Sequence, residues 1–152
     1  MLNSLCLAAL LAASGMAEAK DALPFDGATW ARLQNSTQHP LAIVFTTSDC
    51  EYCPAVIDGL ARQIRRAGSK AKLAVVVMDA PAQDASALSI RHYARADRLY
   101  AFATGDAERL RYTIDPDWRG VTPYVVLIDR AGAAHRFIGT PPADELKRWL
   151  IP

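Results

Sequence analysis

Short continuous runs of apolar residues along this chain predict the strands of a central sheet. Uninterrupted apolar runs are typical of strands that are buried on both faces. A further strand is predicted at 134–138, because Asp129-Arg130-Ala131-Gly132 just before it has the composition of a hairpin turn. The buried strands are predicted at 41–45, 73–78 and 124–128.

Apolar residues at helical spacing predict helices between these strands. The clearest pattern covers 54–67, which has its apolar residues on one face and Gly68 at its end. The polar, alanine-rich stretch from Asp84 to Tyr100 predicts a helical insert. The other helices are predicted at 26–34, at 106–113 and from Thr140-Pro141 towards the C-terminus.

The order of these elements defines an α/β fold. Two strands that are joined through a helix are expected to be parallel, with a right-handed crossover, whereas the last two strands form an antiparallel hairpin. We therefore predict a mixed central sheet with helices on both faces and a helical insert between its two halves. The 152 residues of the chain are enough for one domain with a substantial core.

The N-terminus differs in character from the rest of the chain. The overall composition, 51% hydrophobic and 22% charged, is typical of a globular domain, and a net charge of +1 gives no basis for a nucleic-acid partner. Residues 5–13 are apolar, and Ala17-Glu18-Ala19 then offers an A-x-A cleavage site, although no Lys or Arg precedes the run. We predict a signal peptide at 1–19 and a mature domain at 20–152, so that cleavage removes Cys6.

The motif Cys50-Glu51-Tyr52-Cys53 lies between a predicted strand and a predicted helix and carries the candidate chemistry. The N-terminus of a helix favours an anion, so the pKa of Cys50 is expected below the usual value of about 8.5 for a thiol. Cys50 is therefore the predicted nucleophile and Cys53 the resolving thiol. Two alternatives stay open. An inert disulfide here would close too short a loop to stabilise much, and a closed metal site would lack a second CxxC.

Thr122-Pro123, directly before a predicted buried strand, is the second informative motif. Proline cannot donate a hydrogen bond within a central strand, so a cis peptide or a simple trans proline is expected at the strand's start. Trp118 lies in the preceding loop. It is predicted either to line a substrate groove beside Cys50 or to pack into the core.

Together these motifs resemble the thioredoxin fold over the whole mature chain, and the segments 115–123 and 127–132 resemble secreted bacterial proteins of the TlpA/ResA type. The resemblance implies that Pro123 is a cis-proline lying against the disulfide. It also implies that the backbone at Thr122 pairs with an extended segment of a protein substrate. A membrane thiol-transfer protein would supply electrons, no cofactor would be needed, and the protein would act as a monomer.

We predict a periplasmic thiol–disulfide oxidoreductase that exchanges disulfides with a few partner proteins. The acidic neighbours Asp49 and Glu51 oppose a thiolate at Cys50, which favours a reductase over an oxidase or isomerase. The chain also departs from the families it resembles. Asp49 replaces the usual tryptophan, Val44 a buried acid, and Val56 a glutamate of ResA-type proteins. These departures favour a narrow range of substrates.

A copper-binding module of the Sco type is the alternative function. His135 would serve as a third ligand beside the two cysteines, since Cys and His together can bind copper. Sco-type proteins use a CxxxC spacing, which this chain lacks. The other histidines, His39 and His92, are predicted to be solvated.

Overall fold

Six strands form one mixed sheet in the computed structural model, which describes residues 21–36, 40–103, 105 and 107–151. The sheet has the order β1-β4-β3-β2-β5-β6, and the first four of these strands are parallel to one another. β5 runs antiparallel to β2, and β6 runs antiparallel to β5. The strands are β1 (Leu23–Phe25), β2 (Leu41–Thr46), β3 (Lys72–Val77), β4 (Arg98–Phe102), β5 (Tyr124–Ile128) and β6 (Ala134–Ile138).

Helices cover both faces of the sheet, which confirms the predicted layers. They are α1 (Gly27–Gln34), α2 (Cys53–Arg66), α3 (Ala85–Leu88), α4 (Ala107–Ile114) and α5 (Ala143–Leu150), with a 3-10 turn at Tyr93–Arg95. Alternate residues of each buried strand serve opposite faces. Val44 therefore belongs to a core with α2 and α5, and Phe45 to a core with α1 and α4. Among the described residues, no helix is long and apolar enough to span a bilayer.

The predicted helical insert at 84–100 is wrong in its second half. Only α3 and the 3-10 turn are helical there, and the chain then enters β4. Leu99 and Tyr100 are buried in this strand, which fills the place between β1 and β3. Asp97 fixes the start of β4, because its N–H donates to the Leu73 carbonyl at 2.7 Å and its carboxylate accepts the Leu73 N–H at 2.9 Å. Tertiary pairing thus overrides the helical preference of an alanine-rich segment.

The C-terminal elements follow the prediction with one change of boundary. The hairpin turn closes through the Gly132 N–H, which donates to the Asp129 carbonyl at 3.0 Å, and Gly132 adopts the left-handed φ of 84°. The last helix begins at Ala143 and not at Thr140. Two consecutive prolines precede it and hold the chain in an extended conformation up to Pro142, whose ψ is 146°.

The loops that contain the CxxC and Thr-Pro motifs lie at the same edge of the sheet. β2 and β3 are parallel and end together, since Thr46 pairs with Val77. β5 is antiparallel to β2 and begins at the same edge, where Phe45 pairs with Tyr124. We call this edge, with segments 46–53, 78–79 and 122–124, the site edge. Both sequence motifs lie there.

Candidate redox-active site

Cys50 and Cys53 form a disulfide at the site edge, with their Cα atoms 5.5 Å apart. Cys53 is the first residue of α2 and only 1% exposed, whereas Cys50 lies in the preceding loop and is partly exposed. The helix therefore begins one residue before the predicted 54–67, and Cys50 lies three residues before its first residue. Pro54, which is favoured in the first turn of a helix, marks this start. The disulfide still holds Cys50 against the helix N-terminus, and Cys50 is the more accessible cysteine of the pair.

Asp79 holds the loop that leads from β2 to Cys50. Its carboxylate accepts the Ser48 N–H at 2.9 Å and the Ser48 hydroxyl at 2.6 Å. The loop then turns, and the Cys50 N–H donates to the Thr47 carbonyl at 3.2 Å. Neither Asp79 nor Ser48 is a predicted site residue. The signal in the sequence was that each lies shortly after the end of a predicted buried strand, where the loops of parallel strands meet.

The Thr122–Pro123 peptide is cis, which confirms that prediction. Pro123 is buried, and its carbonyl accepts the Gly139 N–H at 2.8 Å from the end of β6. Because Tyr124 pairs with Phe45, Pro123 lies beside Thr46, four residues before Cys50. Thr122 remains partly exposed at the site edge.

Trp118 belongs to the core, which supports the packing alternative and corrects the assignment of Trp118 as a substrate contact. The side chain is 5% exposed and stacks on Tyr124, with ring centroids 4.3 Å apart and an interplanar angle of 12°. It also contacts the Phe45 ring at 5.1 Å. Its indole N–H donates to the Val121 carbonyl at 2.9 Å, next to Thr122.

The structure places His135 away from the two cysteines. His135 pairs with Leu127, which in turn pairs with Ala42 near the start of β2. It therefore lies towards the opposite edge of the sheet, where it contacts Asp129 at 3.2 Å. Within the described part of the chain, no three His, Cys, Asp or Glu side chains are grouped as metal ligands. His39 lies outside the described residues, and the Sco-type alternative loses its third ligand.

The surface beside the disulfide is acidic and apolar. Asp49 and Glu51, the acidic neighbours of Cys50, are both exposed. Tyr52 is 72% exposed, and Val121, next to Thr122, is 51% exposed. Large apolar side chains on this surface are available to a partner protein.

Solved structures with the same architecture are known, whereas no protein-family model and no curated protein sequence matches the chain. The thioredoxin domain of a thiol–disulfide oxidoreductase from Bacteroides vulgatus has a TM-score of 0.59 at 13% identity, over 78% of this chain and 84% of that one. StoA from Bacillus subtilis has a TM-score of 0.51 at 19% identity, over 75% and 84%. A secreted Mycobacterium tuberculosis disulfide oxidoreductase homologous to E. coli DsbE has a TM-score of 0.50 at 16% identity, over 73% and 79%. The chain therefore has the thioredoxin fold, as predicted.

Proposed function

We propose that this protein is a thiol–disulfide oxidoreductase that acts on partner proteins. The observation that carries the proposal is the Cys50–Cys53 disulfide at the start of α2, with one cysteine accessible and the other buried. This asymmetry assigns the first attack to Cys50 and the resolving step to Cys53. The fold is shared with proteins that are themselves described as thiol–disulfide oxidoreductases, which supports the same assignment.

The reaction balances through a mixed disulfide. In the reduced protein, the Cys50 thiolate attacks one sulfur of a partner disulfide, and the other partner sulfur leaves as a thiolate that takes up a proton. Cys53 then loses its proton and attacks Cys50, which closes the protein's own disulfide and releases the second partner thiol. The partner gains two electrons, and the Cys50–Cys53 pair loses them.

The expected direction is reduction of the partner. Asp49 and Glu51 are exposed on either side of Cys50, and their negative charges make the Cys50 thiolate less favourable. A less stabilised dithiol gives up electrons more readily. A reduction potential near −270 mV supports a reductase, whereas one near −120 mV supports the oxidase alternative.

We propose that the protein works outside the cytoplasm as a monomer, after removal of residues 1–19. The A-x-A site before Lys20 supports cleavage. The Mycobacterium tuberculosis neighbour is described as secreted, which supports the same location. Electrons would come from a membrane thiol-transfer protein. N-terminal sequencing of protein from a periplasmic extract is expected to start at Lys20, and an uncleaved cytoplasmic product would contradict the proposal.

Two cysteine variants test the chemistry. The mature protein is expected to reduce a peptide disulfide in the presence of dithiothreitol, and Cys50→Ser is expected to lose this activity. Cys53→Ser keeps the nucleophile but lacks the resolving thiol, so it is expected to accumulate a mixed disulfide with the peptide. If Cys50→Ser were as active as the wild type, the proposed function would be wrong.

A further inference from the structure

A loop of nine residues, 115–123, leads from α4 to β5 and carries the Thr122–Pro123 peptide. Its two ends are joined by side chains. Asp115 directly follows α4 and Tyr124 begins β5, and the Tyr124 hydroxyl donates to the Asp115 carboxylate. Asp115 also starts the loop itself, because its carboxylate accepts the Asp117 N–H at 2.9 Å. We call Asp115, Trp118 and Tyr124 the loop brace.

Trp118 connects the brace to the backbone next to the substrate motif. Its ring stacks on Tyr124, its backbone N–H donates to the Asp115 carbonyl at 3.1 Å, and its indole N–H donates to the Val121 carbonyl at 2.9 Å. Gly120 allows the sharp turn between these contacts, since it adopts a φ of 85°. The brace thus fixes the peptide group immediately before Thr122.

The electrostatics of the brace keep its hydrogen bond in place at neutral pH. Burial alone raises the pKa of Asp115, but hydrogen bonds from Tyr124 and the Asp117 N–H and the positive charge of Arg136 lower it overall. Burial and the Asp115 carboxylate raise the pKa of Tyr124. Tyr124 is therefore a neutral donor to an ionised acceptor, and hydrogen bonds of this kind are stronger than those between neutral groups.

Packing alone does not explain a tyrosine at this position. Tyr124 is 3% exposed and lies in an aromatic cluster with Phe45 and Trp118. A phenylalanine would fill the same space without burying a hydroxyl, which needs a partner in such a place. The partner of the hydroxyl is the other end of the loop. The polar group therefore contributes to the loop rather than to the core.

We propose that Asp115 and Tyr124 are positioning residues for substrate binding. They hold the backbone at Val121 and Thr122 in the conformation that pairs with an extended segment of the partner protein, and they take no part in the exchange between sulfur atoms. The inference rests on the proposed function, and it separates two tasks at the site edge. The disulfide performs the exchange, while the braced loop determines how well a partner is bound.

Tyr124→Phe tests this role, with Tyr100→Phe as the matched control. Tyr100 is a buried tyrosine of the same core on β4, so its variant also removes one phenol oxygen but leaves the loop brace intact. With a fluorogenic peptide disulfide, Tyr124→Phe is expected to raise KM about tenfold with kcat within twofold of wild type, because one hydrogen bond to a charged group is lost. Asp115→Asn keeps an acceptor and is expected to raise KM by less. Tyr100→Phe is expected to leave KM unchanged.

Two further measurements on the same variants distinguish positioning from general damage. The rate of Cys50 alkylation in the reduced protein is expected to stay within twofold of wild type in all three variants. Hydrogen exchange at the Val121 and Thr122 amides is expected to be faster in Tyr124→Phe than in Tyr100→Phe. An unchanged KM and unchanged exchange in Tyr124→Phe would overturn the inference, as would equal effects of Tyr124→Phe and Tyr100→Phe. If the wild type did not reduce the peptide at all, the proposed function itself would fail.

Discussion

Asp79→Ala is expected to destabilise the loop before Cys50 and to raise the reduction potential of the disulfide. The Asp79 carboxylate accepts two groups of Ser48, its N–H at 2.9 Å and its hydroxyl at 2.6 Å. Hydrogen bonds to charged groups contribute about 1.5–3 kcal/mol each. Both hydrogen bonds are exposed to solvent, so water can take the place of the carboxylate in part. We therefore expect the free energy of unfolding to fall by about 1–2 kcal/mol in total.

The same loop must be ordered for Cys50 to reach Cys53. If the stabilisation of the loop by Asp79 acts fully on the disulfide form, its loss makes that form about 1–2 kcal/mol less stable relative to the dithiol. The reduction potential of the disulfide then rises by about 20–40 mV, since 30 mV corresponds to about 1.4 kcal/mol for two electrons. Removal of a negative charge near Cys50 also stabilises its thiolate, and hence the dithiol. Both effects make the disulfide easier to reduce, so both raise its reduction potential.

Asp97→Ala is the matched control for this prediction. Asp97 also uses its carboxylate to hold a neighbouring segment, because it accepts the Leu73 N–H at 2.9 Å and contacts Lys72 at 3.2 Å. It lies at the start of β4 and β3, at the edge of the sheet opposite the disulfide. We expect a comparable loss of stability in urea titrations, but no change in the potential measured by equilibration with glutathione. If the disulfide had the same reduction potential in Asp79→Ala and Asp97→Ala, the loop before Cys50 would not contribute to the stability of the disulfide, and the prediction would be refuted.

Three smaller predictions concern charge, core polarity and pH. At low salt the wild type is expected to prefer peptides with Lys beside the disulfide, measured as a ratio of kcat/KM values, and the double variant Asp49→Asn/Glu51→Gln is expected to lose this preference. A wild type without the preference would contradict the prediction. Trp149→Phe removes the buried indole N–H that donates to the Ile128 carbonyl at 2.9 Å, and it is expected to lower the free energy of unfolding by about 1–3 kcal/mol; an unchanged urea midpoint would count against this. The pKa of Asp115 is lowered in the folded protein, so its stabilising effect is present above the unfolded value of 3.8 and is lost as pH falls below it. Between pH 5 and pH 2 the wild type should therefore lose more stability than Asp115→Asn, and parallel curves would disprove this contribution.

The central strands and α2 could be predicted because their sequence signals are local. A strand that is buried on both faces, such as β2 or β5, appears as a continuous apolar run. The apolar face of α2 repeats at helical spacing over 14 residues. β1 and β4 were missed for different reasons. β1 has only three residues, and β4 follows an alanine-rich segment whose composition favours a helix, so its place in the sheet is decided by pairing.

The residues of the site could likewise be predicted only where the sequence signal is local. CxxC and the Thr-Pro pair are recognisable because adjacent residues carry the chemistry. The partners of the supporting acids are not recognisable, since Asp79 binds a residue 31 positions earlier and Asp115 one that is 9 positions later. An isolated aspartate after a strand or a helix has no pattern that marks its partner. Only the parallel arrangement of β2 and β3 brings Asp79 to Ser48.

Two aspartates, Asp79 and Asp115, support different loops of the site edge. The strand position that would hold a buried acid near the cysteines is Val44, which is fully buried in an apolar core. Asp79, two residues after the neighbouring strand β3, instead binds the backbone of the loop before Cys50. Asp115 holds the other loop, 115–123, which is the proposed contact with the partner protein. Because the two carboxylates act on different loops, we expect the redox potential to depend on Asp79 and partner binding to depend on Asp115, so that each property can change without the other.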